Sequence, residues 1–193
     1  TQGGVTNANN GNYDITFTGN TFIVDRRAIT VAANTQSRVY GDSNPTLTYT
    51  VGGGGLVNGD TLSGTLETVA TTTSNVGSYG ITQGTVTDAA NGNYAISYTG
   101  AQLSVTPRGV SVVATNLSRV YGDSNPTLTY SVTGLVNGDA LTGALATTAT
   151  TGSNVGSYGI TQGDLASSGN YTLTFTGANL QVTARAITVT ADD

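Results

Sequence analysis

Apolar and polar residues alternate along most of this chain, and a two-residue period is the signature of strands with one buried face. The alternation predicts strands at 28–32, 46–51, 62–68, 78–82, 94–99 and 102–106 in the first part of the sequence. Long helices are not expected. Leu47, Tyr49, Ile81, Leu103 and Val105 share the inward face, as do Leu128, Tyr130, Ile160, Leu180 and Val182 further on. Gly41-Asp42-Ser43-Asn44-Pro45 reads as a turn. Leu56–Asp60 reads as one helical turn followed by a turn signal. Thr99-Gly100-Ala101 separates two alternating runs and suggests a hairpin or a bulge. Val76-Gly77-Ser78-Tyr79-Gly80-Ile81 has the shape of an immunoglobulin-type tyrosine corner. The expected fold class is all-β: tandem small antiparallel β modules, each an immunoglobulin-like sandwich. The alternative is a β-grasp-like module with one short helix near Leu56–Asp60.

The modules are plural because the sequence repeats. Tyr40–Tyr49 recurs unchanged as Tyr121–Tyr130, Gly55–Asp60 as Gly134–Asp139, and Ser74–Gly84 as Ser153–Gly163. A related segment occurs three times, beginning at Asn12, Asn93 and Asn170. Arg27, Arg108 and Arg185 mark equivalent positions, spaced by 81 and 77 residues. The difference falls in two expected loops, the Gly52–Gly55 run and the stretch from Gly84 to Tyr94. The expected organisation is the last third of one repeat at 1–26, complete repeats at 27–107 and 108–184, and a first strand at 185–193. Units of this length can each build a small core, so beads on a string are expected rather than a solenoid. At both junctions alternation resumes without a Gly/Ser-rich spacer, which predicts modules joined end to end with restricted hinge angles.

Composition narrows the chemistry. Leu, Ile, Val and Phe make up about 22 % of the residues, close to the level where disorder begins. Charged residues are only 9 %, so little repulsion opposes collapse, and the strict alternation argues for folding. The 37 Thr residues suit solvent-facing strand positions. The chain has no Cys, no His and no Lys. Thiolate chemistry, the usual general base, a Schiff-base lysine and a Lys–Asn cross-link are therefore excluded. Ser and Thr lack an ordinary base to activate them. A net charge of −5 leaves no basic face for nucleic acid. No apolar run approaches the roughly 20 residues of a membrane helix. The chain begins with Thr and shows no leader pattern, so an internal excerpt of a larger protein is expected.

The ordered motifs Val39–Tyr49, Gly55–Asp60, Val76–Thr82 and Asn93–Thr106 resemble the MBG-type repeats, in their YGX and YDG variants, of giant bacterial surface and secreted proteins. Many of those are filamentous-haemagglutinin-like or biofilm adhesins. The resemblance spans essentially the whole chain. It implies an extracellular all-β or β-grasp-like module used in tandem and carries over no catalytic residue. The expected function is a structural stalk or spacer. The alternatives are a self-associating filament subunit built by strand complementation, and a module that binds glycan or host protein. Neighbouring repeats are the expected partners, with head-to-tail association as a further option.

No catalytic, cofactor-binding or metal-binding residue is expected. Several positions still invite a role. Asp42 and Asp123, beside Tyr40 and Tyr121, could offer oxygens to Ca²⁺. The plainer expectation is that each caps its turn and pairs with Arg38 or Arg119. Glu67 is the only Glu and its counterpart is Ala146, a poor start for paired-carboxylate hydrolysis. Tyr13, Tyr94 and Tyr171 could stack on sugars, but are expected to be half in the core with their hydroxyls on backbone groups. The Gly52–Gly55 run reads as a flexible loop, not a phosphate cradle.

Overall fold

The computed structural model describes residues 2–191, and it is all-β. Two modules follow each other with only Pro107 between them. The first contains β1 (Arg27–Ala33), β2 (Gln36–Val39), β3 (Tyr49–Gly53), β4 (Gly77–Ile81), β5 (Tyr94–Thr99) and β6 (Ala101–Thr106). The second contains β7 (Arg108–Ala114), β8 (Leu117–Val120), β9 (Tyr130–Thr133), β10 (Ala146–Thr147), β11 (Gly156–Thr161), β12 (Tyr171–Thr176) and β13 (Ala178–Thr183).

Each module is organised around two long bent strands. β1 and β2 are successive halves of one, β5 and β6 of the other. Their parallel pairing keeps one register through the bend, with Arg27 opposite Tyr94 and Val39 opposite Thr106. β3 adds antiparallel to β1, and β4 adds antiparallel to β6. The strand order through the bend is thus β3, β1–β2, β5–β6, β4. The second module repeats it, with β10 added at the edge beyond β11.

The expectation of purely antiparallel modules is therefore corrected: the sheets are mixed, and their central pair is parallel. Alternation records which face of a strand is buried but not which neighbour it has or in which direction, so this was invisible in the pattern. First and last strands running parallel at the centre is the strand order of the β-grasp alternative. The helical turn expected at Leu56–Asp60 is a tight turn instead, with Asn58 at φ 56° and the Asp60 N–H donating to the Val57 carbonyl.

Gly100 lies at the bend and makes neither a hairpin nor a bulge. The strand continues and changes sheet there, and a Cβ on Gly100 would sit 3.0 Å from the Ile81 carbonyl oxygen. Residues 62–68 form no strand; only Glu67 bridges to Thr82. The unexpected strand β2 is the continuation of β1.

Leu103, Val105 and Ile81 are buried, as are Leu180, Val182 and Ile160. Leu47, Tyr49 and Leu128 are half-buried against the same clusters. Tyr130, expected inside, is exposed on β9, an edge strand whose four residues are all exposed. The tyrosine corner is present in both modules: the Tyr79 hydroxyl donates to the Asn75 carbonyl at 2.8 Å, and Tyr158 to Asn154 at 2.9 Å.

Residues 2–26 form one 3₁₀ turn at Asn7–Asn9 and otherwise run without strands, with Phe22 and Val24 exposed. Residues 184–191 run likewise, with Ile187 and Val189 exposed. The strands expected there are not formed, because the sheet that would bury their apolar faces is not supplied by either module. Asp192 and Asp193 of the expected opening strand lie outside the described residues.

Candidate functional site

The most elaborate polar constellation in the molecule lies where the two modules meet. The loop after β2 carries Tyr40-Gly41-Asp42. Arg38 anchors it from below. Its guanidinium is buried and donates to the Asn44 side-chain oxygen at 2.8 Å, the Val39 carbonyl at 3.2 Å and the Thr71 carbonyl. A buried cation without a carboxylate is tolerable only when neutral acceptors surround it, and these three do. Asn44 completes the brace by donating to the Ala70 carbonyl at 2.7 Å. Gly41 sits at φ +85°, a backbone region that disfavours side chains.

Thus presented, Tyr40 enters the second module. It packs with Val105, Val110 and Tyr171, and Val76, Tyr79, Leu135, Val136 and Leu173 complete the cluster. The Tyr40 and Tyr171 rings meet edge to face at 5.4 Å. Both hydroxyls donate to one oxygen of Asp139, Tyr40 at 3.0 Å and Tyr171 at 2.7 Å. Tyr171 also accepts the Val136 N–H at 3.1 Å. Burial first, and then the Asp139 carboxylate, push the Tyr171 phenol above its ordinary pKa, so it remains a donor.

Arg108, the first residue of β7, reaches back across the boundary. Its Nε donates to the Tyr40 carbonyl at 2.6 Å, and its guanidinium pairs with Asp42. Asn170 accepts the Val76 N–H at 2.9 Å and donates to Asn75 at 2.9 Å. A Cβ on Gly41 would collide with a Val136 methyl.

The expected Asp–Arg pairing was therefore right in kind and wrong in partner. Asp42 pairs with Arg108, not Arg38, and Asp123 pairs with Arg185, not Arg119. Arg38 points the other way, into its own module, because the buried carbonyls there need its donors. The two aspartates considered for Ca²⁺ are thus engaged by guanidinium groups. Glu67 is exposed on an isolated bridge. Tyr94 and Tyr171 are buried with their hydroxyls engaged, whereas Tyr13 is exposed.

The same acceptor is built on the outer face of the first module. Tyr94 donates to Asp60 at 2.6 Å and accepts the Val57 N–H at 3.2 Å. The hydrogen bond to Asp60 is the main reason its phenol pKa is raised. Arg27 donates to the carbonyls of Gly54 and Gly55 at 3.0 Å, so the Gly52–Gly55 run holds a guanidinium rather than a phosphate. A cavity of about 450 Å³ opens here, lined among others by Val24, Arg27, Val57, Asp60 and Tyr94. The matching donor on the second module's far face is Tyr121, Gly122 and Asp123.

Sequence reasoning singled out the Tyr-Gly-Asp loop but missed its receptor. Asp60 and Asp139 were read only as turn residues. The signal available was the shared Gly-Leu-Val-Asn-Gly-Asp segment, whose identity in both repeats exceeds what a turn needs.

The fold and the junction define a chain of tandem all-β modules that bind one another directly. Residues 29–104 and 110–181 each match the MBG domain (YGX type), and the chain belongs to that family, whose members are repeat modules of surface proteins. Comparison with curated proteins and with solved structures finds no match.

Proposed function

We propose that this chain is part of the stalk of an extracellular bacterial adhesin or biofilm matrix protein, in which MBG modules act as stiff spacers. The observation that carries this reading is the junction. The modules share an apolar cluster centred on Tyr40 and Tyr171, with Arg108 and Asn170 bonding across the boundary and Pro107 as the only linker. A tether between independent domains needs no such contacts; a rod whose length depends on module number does. Sugar stacking has no support from Tyr94 or Tyr171, whose rings are buried. The membership in a family of surface-protein repeats supports the extracellular setting.

Small-angle scattering of the dilute chain tests the reading. The expected profile is that of an elongated, rigid two-module particle, unchanged between low and high salt because the junction is largely apolar and hydrogen-bonded. A compact globule, or a profile requiring a wide spread of inter-module angles, overturns it.

A further inference from the structure

We infer that Asn137–Gly138 is a self-modifying site: Asn137 deamidates through a succinimide formed with the Gly138 backbone nitrogen, and the products unseat the junction between the modules. The reaction needs no enzyme, only water and hydroxide. It gives the stiff joint a built-in lifetime, which goes beyond a spacer role.

Asn precedes Gly at Asn10, Asn58, Asn91 and Asn137. A following glycine leaves the backbone nitrogen unshielded, and Asn is among the thermolabile residues. The structure separates the four. Asn91 is 8 % exposed and fully held: its amide donates to the Ser63 and Thr87 carbonyls at 3.1 and 2.9 Å and accepts the Ser63 N–H at 2.8 Å. Asn10 donates to the Thr6 carbonyl at 3.0 Å. Asn137 is exposed, and its side chain makes one long hydrogen bond, 3.4 Å to the Thr72 carbonyl of the first module. The Gly138 N–H has no acceptor among the described residues, and a Cβ on Gly138 would meet nothing within 4 Å. Both reacting groups are therefore open to solvent, and little has to be broken before they meet.

The chemistry balances with water alone. Hydroxide takes the Gly138 amide proton, the nitrogen bonds to Asn137 Cγ, and the Cγ–Nδ2 bond breaks with loss of ammonia. Water then opens the ring. Attack at Cγ restores the backbone and leaves Asp. Attack at the main-chain carbonyl carbon leaves isoaspartate, whose backbone runs through the former side chain and is one carbon longer.

The position decides the effect. Asn137 and Gly138 have φ of 57° and 78°, and the Asp139 N–H donates to the Val136 carbonyl at 3.0 Å, so they are the centre of a type I′ turn. The ends of that turn are junction residues. Val136 gives its N–H to Tyr171 and its methyl to the approach of Gly41, and Asp139 accepts the Tyr40 and Tyr171 phenols. An extra carbon in so tight a turn moves these groups apart, and either product adds a negative charge next to Asp139. Asn58 occupies the matching turn of the first module, exposed and with φ 56°, so it reacts likewise but away from the junction.

Prolonged incubation of the full chain at mildly alkaline pH tests this, with peptide mapping that separates aspartate from isoaspartate and small-angle scattering on the same samples. Asn137 should convert at least tenfold faster than Asn91, and the spread of inter-module angles should widen in step with that conversion. Asn137→Gly removes the reacting side chain and suits the positive φ; it should keep its initial profile throughout, although Asn58 still converts. Conversion at Asn137 no faster than at Asn91 overturns the inference. So does conversion at Asn137 with an unchanged profile, and so does equal widening in the Asn137→Gly chain. The profile before incubation tests the spacer reading; only its change with time tests this one.

Discussion

Tyr40–Tyr49 and Tyr121–Tyr130 are the same ten residues in two surroundings. Their backbones agree: the Asp42 N–H donates to Val39 and the Asp123 N–H to Val120, both at 3.1 Å. Their anchors agree as well, Arg38 and Arg119 each being buried on three neutral acceptors. Only burial differs, and a second module makes the difference. The loop's shape is therefore a property of its own module, and its occupancy a property of its neighbour. A surface segment that holds a left-handed glycine and an outward tyrosine without help is a preformed plug.

The strongest test of this comparison removes the ring. Tyr40→Ala should cost about 3–5 kcal/mol, the usual loss for a large buried aromatic. Tyr121→Ala should stay within about 0.5 kcal/mol, as exposed substitutions do. Urea unfolding of the two variants reads both. Equal losses would show that the tyrosine matters within its own module and that the junction contributes nothing.

A finer test adds one methyl. Gly41→Ala and Gly122→Ala share the strain of a positive φ, about 1–2 kcal/mol. Gly41→Ala also meets the Val136 methyl, whereas a Cβ at Gly122 meets only the Arg185 guanidinium at 3.7 Å. Overpacking should make the first variant worse by about a further 1–3 kcal/mol. The difference between the two denaturation midpoints isolates the close approach of the modules from the backbone strain.

The smallest effect is alkaline. Tyr94, Tyr98 and Tyr171 all have phenol pKa values raised above the ordinary 10.0, Tyr94 mainly by its bond to Asp60 and the other two mainly by burial. The folded chain thus keeps these protons where the unfolded chain releases them. Stability is full below pH 10 and falls as the pH rises from there through the folded pKa values. Thermal midpoints should stay flat below that point and drop above it. Tyr171→Phe, which removes one of the three groups, should make the drop shallower; an unchanged drop would exclude Tyr171 as a contributor.

Much of the fold was legible. The repeats located the modules, and alternation identified Leu103, Val105, Ile81 and their twins as core. The tyrosine corner was readable because its geometry is local, a hydroxyl and a carbonyl four residues apart. Topology was not readable, since parallel pairing of β1–β2 with β5–β6 joins residues with no local link and leaves the same alternation. Tyr130 was not readable either: its twin Tyr49 lies on the equivalent edge strand yet packs against two buried clusters, so the difference comes from what surrounds each ring, which alternation does not encode. The candidate site was half legible. Asp42 suggested a pairing, but its partner belongs to the next module, and a short-range search stops at Arg38. Asp139 carried a signal only in the shared Gly-Leu-Val-Asn-Gly-Asp segment, which does not name a partner; its contact with Tyr40, from the other module, reveals its role.

The unbroken parallel register within each module has a mechanical consequence. The chain comes in at Arg27 beside Tyr94 and goes out at Thr106 beside Val39, at opposite ends of the same ladder. Tension along the row of modules pulls these two bent strands past one another. Their hydrogen bonds are then loaded in shear, many at once, rather than unzipped one after another as in a hairpin held at its open end. The next module begins where the Tyr40 plug is seated, so the pull passes directly from one such shear joint to the next, with no slack segment between them to stretch first.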